Sequence, residues 1–450
     1  MGNVVLVYPY FIGSKRSEFR FPPLGLGYLA SQLREHGITV EIVDCTFLGG
    51  LDEAVQHVKD MSPSIIGIYS MFTMKDNALI LGERLKDHCE LLVAGGPQPS
   101  SDPEAFLDLF DVVIIGEGEE TVLEIVEGKK SLREVRGVAF MEKYNESSRL
   151  PENMVITEPR GLIPDLDSIP FPARDIFDNQ SYIAYYREMG LRPTTSIMSS
   201  RGCVFKCDFC SQPIYGNTFR ERSPSNIVDE IAEILELGYE KVVFQDDCFT
   251  LTKERVVDFC LEVIQKGTSF EWECLSRVDS LDEDTALLMK RAGCSRVFFG
   301  LESGSDKILR IMNKQTDKKR AVEAINSAKK VGIKAGAFFI IGYPGETNAT
   351  LIETINFAGS LGLDYLSFNF PYPIPGTGLF EKLKDDLIGA ESQTDRNQLL
   401  FKSHISERKL RFAEYKGMTQ HRISKALGPF SGILQWPFQM ATDAILRMMD

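Results

Sequence analysis

Short apolar runs alternate with amphipathic stretches of helical length from the first residues of the chain, a rhythm that neither a helical bundle nor an all-β sandwich produces. Apolar runs fall at residues 4–8, 40–43, 65–69, 91–94 and 112–115, and helical patterning falls at 25–35, 75–89, after Asp102, and at 119–127. This spacing predicts an α/β domain over residues 1–130, a doubly wound Rossmann-like parallel sheet. Such sheets hold ligands beyond the carboxyl ends of their strands. There the sequence places Pro22-Pro23-Leu24-Gly25, Tyr69-Ser70-Met71, Gly95-Gly96-Pro97 and Gly116-Glu117-Gly118-Glu119. Over 131–194 the rhythm weakens into polar turns such as Asn145-Glu146-Ser147-Ser148 and a stretch punctuated by Pro164, Pro170 and Pro172, which reads as a linker with a small hairpin. It resumes at 195–199, 242–245, 270–275, 296–300, 336–341 and 365–370, with helical stretches between. Six βα units over 195–380 predict a partial (βα)6 TIM-type barrel with its chemistry at the C-terminal mouth of the strands. Residues 381–450 read as a helical C-terminal segment.

Charge and cysteine usage narrow the function. The 450 residues carry a net charge of −14, so a polyanion is repelled and nucleic acid is not an expected partner. The amino terminus has no basic n-region and no small-residue cleavage site, and no stretch has 18 uncharged apolar residues, so the expected location is cytoplasmic. Nine cysteines in such a chain argue for metal or reactive thiols rather than a disulfide framework. Residues 402–450 differ from the rest, with eight Lys/Arg against four Asp/Glu and a concentration of Phe430, Ile433, Leu434, Trp436, Phe438, Ile445, Leu446, Met448 and Met449. Two readings stay open for this segment: a cap packing on the barrel, or a basic-aromatic surface making peripheral contact with a membrane or a lipophilic substrate.

Directly after the first barrel strand stands Ser200-Arg201-Gly202-Cys203-Val204-Phe205-Lys206-Cys207-Asp208-Phe209-Cys210, a C-x3-C-x2-C loop. Three soft thiolates on one loop suit three irons of a [4Fe-4S] cluster and leave the fourth open to an exogenous chelator. Structural zinc would need a fourth ligand from elsewhere, and no His occurs between His88 and His404. A ferredoxin cluster would need a fourth Cys, with Pro after it in the bacterial run, whereas Cys210 is followed by Ser211-Gln212. Cys45, Cys89, Cys248, Cys260, Cys274 and Cys294 sit in or beside apolar elements and read as buried structural residues.

This loop, with Phe209 before its last Cys, resembles the signature of the radical S-adenosylmethionine superfamily. The resemblance implies that Cys203, Cys207 and Cys210 hold the cluster and that S-adenosylmethionine chelates the open iron. Reduction then cleaves the sulfonium to a 5'-deoxyadenosyl radical, chemistry that no side chain supplies. It further implies an external electron donor of flavodoxin or ferredoxin type. Contacts to S-adenosylmethionine are expected from Phe209; from Gln245 and Asp246, at the methionyl ammonium; from Ser276 and Arg277, at the ribose and carboxylate; and from Glu302. Ile340 and Tyr343, in the stretch Phe339–Glu346, are expected against adenine. Each of these strand-end residues also has a purely structural reading, as Asp247 has as a helix N-cap.

The first domain, joined by a Pro-rich stretch to such a barrel, resembles the cobalamin-binding domain of the cobalamin-dependent radical enzymes. Pro22-Leu24-Gly25-Leu26-Gly27-Tyr28-Leu29-Ala30, Gly95-Gly96-Pro97 and Gly116-Glu117-Gly118-Glu119 carry the likeness. Small residues at strand ends let backbone approach a broad corrin and its nucleotide tail. Leu24, Gly25, Gly95, Gly96, Pro97, Gly116, Glu117, Gly118 and Glu119 are the expected contacts, with Tyr69, Ser70, Met71 and Thr73 near the lower face of the corrin. The Asp-x-His-x-x-Gly loop of mutases is absent, since the region reads Tyr8-Pro9-Tyr10-Phe11-Ile12-Gly13. The expectation is therefore bound cobalamin with its dimethylbenzimidazole displaced and no His ligand. What the resemblance implies is transfer of a methyl group from methylcobalamin to an unactivated carbon of a small-molecule substrate. A radical cyclase or rearrangement enzyme of the magnesium-protoporphyrin ester cyclase type, and a non-enzymatic iron-sulfur or corrinoid carrier, are the alternatives.

Overall fold

The computed structural model describes residues 3–11, 17–142, 153–211, 216–388, 398–427 and 431–449. The polar turn at 145–148, Ile12, Gly13 and Phe430 lie outside them, as do the side chains of Ile433 and Leu434. In the first domain the strands are β1 (Val4–Tyr8), β2 (Val40–Asp44), β3 (Ile65–Tyr69), β4 (Leu91–Gly95), β5 (Val112–Ile114), β6 (Val138–Glu142) and β7 (Asn153–Ile156). They form one sheet in the order β2-β1-β3-β4-β5-β6-β7. The first five strands are parallel, with Val4 opposite both Val40 and Ile65. The β6–β7 hairpin pairs antiparallel onto β5, so the sheet is mixed, and the hairpin that the sequence assigns to the linker belongs to the sheet. Its apolar residues explain this: Val138, Ala139 and Phe140 bury against the sheet's own clusters.

Alternation along each strand divides the core. Val5 and Val7 pack with Ile66, Ile68 and Leu81 on one face, and Val4 and Leu6 pack with Leu26, Leu33, Val122 and Ile125 on the other. The second face is covered by the helices Leu24–Glu35 and Glu119–Glu127. The strand order reverses between β1 and β3, the place where open α/β sheets leave a crevice.

The second domain begins with β8 (Thr194–Ile197), followed by a two-stranded ribbon of β9 (Ser200–Arg201) and β10 (Arg220–Glu221). Then come β11 (Lys241–Phe244), β12 (Glu271–Ser276), β13 (Cys294–Glu302), β14 (Lys334–Ile340) and β15 (Tyr365–Asn369). β8 and β11–β15 form an all-parallel six-stranded sheet in chain order, the expected open barrel. Several of its helices start where short polar side chains satisfy their first amides: Ser223 before Pro224–Glu236, Asp282 before Glu283–Arg291, Asp317 before Lys318–Lys330 and Thr347 before Asn348–Ser360.

The segment between the domains holds a helix that the Pro-rich pattern hides, Asn179–Glu188. Tyr182 donates to Asp44 at 2.6 Å, and Arg174 reaches Glu230 of the barrel at 2.6 Å, so this segment ties both domains together. The C-terminal segment is a pair of helices, Glu407–Leu427 and Ser431–Met448. The first comes so close to the barrel that a Cβ on Gly417 would fall 2.5 Å from the Phe368 ring. The second turns its polar side inward, Asp443 pairing with buried Lys416, while every exposed residue from Gln435 to Met449 except Arg447 is apolar.

A glycine-lined cavity walled by the stem of the cysteine loop

Between the first sheet and the barrel mouth lies a cavity of about 500 Å³. Val4, Leu6, Ile65, Gly67, Val93 and Ile114 line it on the sheet side; Leu29, Val122, Ile125 and Val126 line it from the two covering helices; Met198, Arg201 and Gln245 line it from the barrel. The expected Leu24, Gly25, Tyr69, Met71, Gly95, Gly96, Pro97, Gly116, Glu117, Gly118 and Glu119 all face it. At Gly25 and Gly116 a Cβ would meet nothing within 4 Å, and Gly116 has φ +87°. These positions leave backbone bare to whatever fills the space.

Two expected residues are elsewhere. Ser70 is wholly buried behind the strand ends, its amide donating to the Gly95 carbonyl at 2.8 Å and its carbonyl accepting from Gln98 at 3.1 Å. Gly96 at φ +108° passes so close that a Cβ would fall 2.7 Å from that carbonyl. Thr73 stands in the turn Phe72–Met74, off the cavity. Among the described residues, none lining the cavity is a histidine.

The acidic pair of the Gly116–Glu119 loop meets the barrel through ion pairs. Glu117 lies 3.1 Å from Arg201 and 2.7 Å from Arg220, and Glu119 lies 2.6 Å from Arg201, all four side chains being nearly inaccessible. Burial alone would raise the Glu117 carboxyl, but Arg220 and Arg201 hold it below the usual carboxylate range.

Arg201 leads into the cysteine loop. Cys203 is buried and Cys207 and Cys210 are half-buried. The loop is held by the Asp208 amide on the Met312 carbonyl at 3.0 Å, by the Leu379 amide on the Asp208 carbonyl at 2.8 Å, and by Asn313 Nδ2 on the Lys206 carbonyl at 2.7 Å. Arg277 lies over the Phe205 ring at 3.5 Å, and Lys314 stands 5.8 Å from the centre of the Phe209 ring. Burial pushes the Cys207 thiol up, while Lys314 and Arg277 favour its thiolate. The three thiols stand on one short loop with Lys314 and Arg277 beside it, a soft donor set with adjacent positive charge that fits an iron–sulfur cluster.

The other residues expected at S-adenosylmethionine separate into two groups. Gln245 is exposed and lines the cavity, and Phe209, Ile340 and Tyr343 pack together beside Met312. Tyr343 is wholly buried with its hydroxyl unpartnered, as is Glu346 Oε1 three residues on, and these orphaned atoms at the end of β14 leave hydrogen-bonding capacity for a polar ligand. Arg277 is engaged by Asp279 at 3.0 Å and by the Lys314 carbonyl at 2.9 Å, and Glu302 is paired with Lys314 at 2.8 Å.

Asp246, by contrast, is spent inside the protein. Its oxygens accept from the Ser199 amide (2.7 Å) and hydroxyl (2.6 Å), from Ser200 (2.7 Å) and from Arg255 (3.0 Å), so it secures the β8–β9 joint rather than facing the mouth. Ser276 is likewise buried on Thr250 and the Arg277 carbonyl. Asp247, the residue after Asp246, accepts from the Gly202 amide at 3.1 Å instead of capping a helix. Lys314 and Arg220 are additions that the sequence reading missed, Lys314 meeting Glu302 across the short helix Asp306–Ile311 and Arg220 meeting Glu117 of the other domain. Arg201, next to the loop's Gly202, carried a legible signal.

Residues 197–358 match the family model of the Radical SAM superfamily, and residues 14–126 match that of the B12 binding domain. An uncharacterized methyltransferase of Pyrococcus horikoshii is 35% identical over 372 residues, covering 80% of this chain and 78% of that protein. The anaerobic magnesium-protoporphyrin IX monomethyl ester cyclase of Cereibacter sphaeroides is 28% identical over 411 residues, 86% of this chain and 64% of its own. The fold is shared with the radical S-adenosylmethionine methyltransferase TsrM of Kitasatospora setae, solved with cobalamin and a [4Fe-4S] cluster bound. That match has a TM-score of 0.73 and 15% identity, and it covers 99% of each chain.

Proposed function

The chain belongs to the cobalamin-dependent radical S-adenosylmethionine enzymes, and from that premise we propose that it is a C-methyltransferase acting on an unactivated carbon of a small, lipophilic substrate. When bound, S-adenosylmethionine on the cluster supplies a hydrogen-abstracting alkyl radical and methylcobalamin supplies a methyl group. The residues provide for each part. Cys203, Cys207 and Cys210 hold the cluster, with Lys314 and Arg277 as nearby positive charge. Tyr343 and Ile340 wall the adenine side, and Gln245 faces the space between the two sites. The glycine-edged loops 95–97 and 116–119, with Tyr69 and Met71 beside them, would hold the corrin.

The observation that carries this reading is the shared wall: Met198, Arg201 and Gln245 come from the barrel, yet line the cavity of the first domain. A substrate carbon held against this wall would be bordered by residues of both domains, among apolar side chains that disfavour water. Methyl transfer is favoured over cyclisation because the 35% identical relative is described as a methyltransferase, whereas the cyclase is 28% identical. Anaerobic incubation with S-adenosylmethionine, hydroxocobalamin and a strong reductant tests it, since reduced cobalamin must take its methyl from S-adenosylmethionine. A methyltransferase releases both 5'-deoxyadenosine and S-adenosylhomocysteine; 5'-deoxyadenosine alone points to cyclisation or rearrangement; neither product points to a carrier.

The electron needed for cleavage comes, in this reading, from an external flavodoxin or ferredoxin. The outward apolar face of residues 435–448, in a segment with excess positive charge, is read as a peripheral contact with anionic lipid, from which a lipophilic substrate is drawn.

A further inference from the structure

The ribbon β9–β10 is the base of the cysteine loop: residues 202–219 leave from Arg201 and return at Arg220, and these two arginines are direct cross-strand partners. Like charges facing each other across a ribbon repel. Here the pair is held because one carboxylate from the other domain, Glu117, accepts from both, with Arg220 gripping it through two nitrogens at 2.7 and 3.0 Å and Arg201 through one at 3.1 Å. Glu119 takes the second Arg201 nitrogen at 2.6 Å, and the Ile163 amide completes the Glu117 shell at 2.9 Å. Two positive and two negative side chains thus balance in a nearly solvent-free place. Glu117, Glu119 and Arg201 also line the cavity.

We propose that Glu117 is a positioning residue through which occupancy of the first domain by cobalamin sets how firmly the base of the cluster loop is held, whichever reaction follows. The tip of the loop is fastened by the barrel through Asp208 and Asn313, whereas its base is held from both sides, by Asp246 and Asp247 of the barrel and by Glu117 and Glu119 of the first domain. A ligand seated against the Gly116–Glu119 loop restrains the carboxylate that holds both stems, and the stem at Arg201 stands two residues before Cys203. Cobalamin binding and cluster retention are thereby coupled, each favouring the other.

The test uses the full chain, reconstituted with iron and sulfide under anaerobic conditions. The rate at which an iron chelator strips the cluster is measured with and without hydroxocobalamin, and bound cobalamin is read from its absorbance. In the wild type, cobalamin is expected to slow iron loss several-fold. In Glu117→Gln, iron loss is about ten-fold faster and the protection disappears, a loss typical of groups that orient metal ligands. Glu117→Asp keeps the charge and retains part of the protection. Hydrogen exchange of the 202–211 amides in iron-free protein gives a second readout: cobalamin slows it in the wild type and leaves it unchanged in Glu117→Gln. Should that variant not fold, Arg220→Lys, which keeps the charge but loses the two-pronged grip, is expected to lose the same protection. Wild-type chelation rates and wild-type protection in the folded variants would overturn the proposal. A wild type that binds no cobalamin would overturn it too, and would at the same time remove the corrinoid from the function, an outcome the absorbance distinguishes.

Discussion

Lys314 Nζ stands 2.8 Å from Glu302 Oε1, and both side chains are about nine-tenths buried beside the cysteine loop. Glu302 holds φ +63°, a left-handed conformation costly for a residue with a Cβ. Burial works against the lysine's charge, but Glu302 keeps its pKa above the ordinary lysine value. Lys314→Met strands a buried carboxylate and is expected to cost about 3–5 kcal/mol in denaturant unfolding of the iron-free protein, and adding Glu302→Gln should recover most of it. An unchanged midpoint in the single variant would show the pair to be dispensable.

Asp246 offers a contrast between a structural and a ligand-facing carboxylate. With four donors already on its oxygens, Asp246→Asn should lower the stability of the cofactor-free protein by about 2–4 kcal/mol, because the amide turns a donor toward groups that themselves donate. A group waiting for a substrate ammonium would leave that stability unchanged and weaken S-adenosylmethionine binding alone. Thermal melts of the two cofactor-free proteins separate the cases.

The three loop cysteines should behave as a set. Cys203→Ala, Cys207→Ala and Cys210→Ala are each expected to lose the iron-sulfur absorbance and the release of 5'-deoxyadenosine. Cys260→Ala, a change deep in the barrel core, should keep both at a stability cost of about 1 kcal/mol. Retained 5'-deoxyadenosine in any of the loop variants would refute the ligand set.

Glu346 gives the fold a pH dependence of known sign. Burial raises its carboxyl to about 8, although the Gly342 amide on Oε2 works the other way. The folded state therefore binds this proton more tightly than the unfolded chain. The stability it brings is complete below the ordinary carboxyl range and is lost as pH rises through about 8. Between pH 5 and 8 the wild type should lose up to a few kcal/mol more than Glu346→Gln does, measured as the shift of the urea midpoint.

Trp436, Met440 and Met448 are exposed by 65, 57 and 75% on one helix. If that face meets lipid, the protein co-sediments with anionic vesicles at low salt, and a Trp436→Gln, Met440→Gln variant remains in the supernatant with its melting temperature unchanged. Equal recovery of both proteins from vesicles, or a shift from dimer to monomer on sedimentation velocity, would assign the face to something other than a membrane.

The strands of both domains were legible because buried parallel strands must be apolar, and the cysteine loop was legible because its spacing has few other uses. The cavity was largely legible too, since glycines such as Gly116 mark where backbone is left bare. The roles of Asp246 and Ser276 were not: a polar residue at a strand end looks the same whether it faces a ligand or ties down a neighbouring strand, and only the positions of Ser199, Arg255 and Thr250 decide. Ser70 misled for a related reason, its neighbours Tyr69 and Met71 lining the cavity while its own side chain is buried. The helix Asn179–Glu188 went unseen because its buried residues, Tyr182, Ile183 and Tyr186, are few, and prolines precede it.

The grip of Glu117 on two arginines of the neighbouring domain limits how such proteins can be recombined. A barrel transplanted onto a foreign partner that lacks an acid at this place would bring two mutually repelling guanidinium groups to the root of its catalytic loop. Chimeras should tolerate exchange of the whole pair of modules, or of the C-terminal hairpin, far more readily than a cut between them.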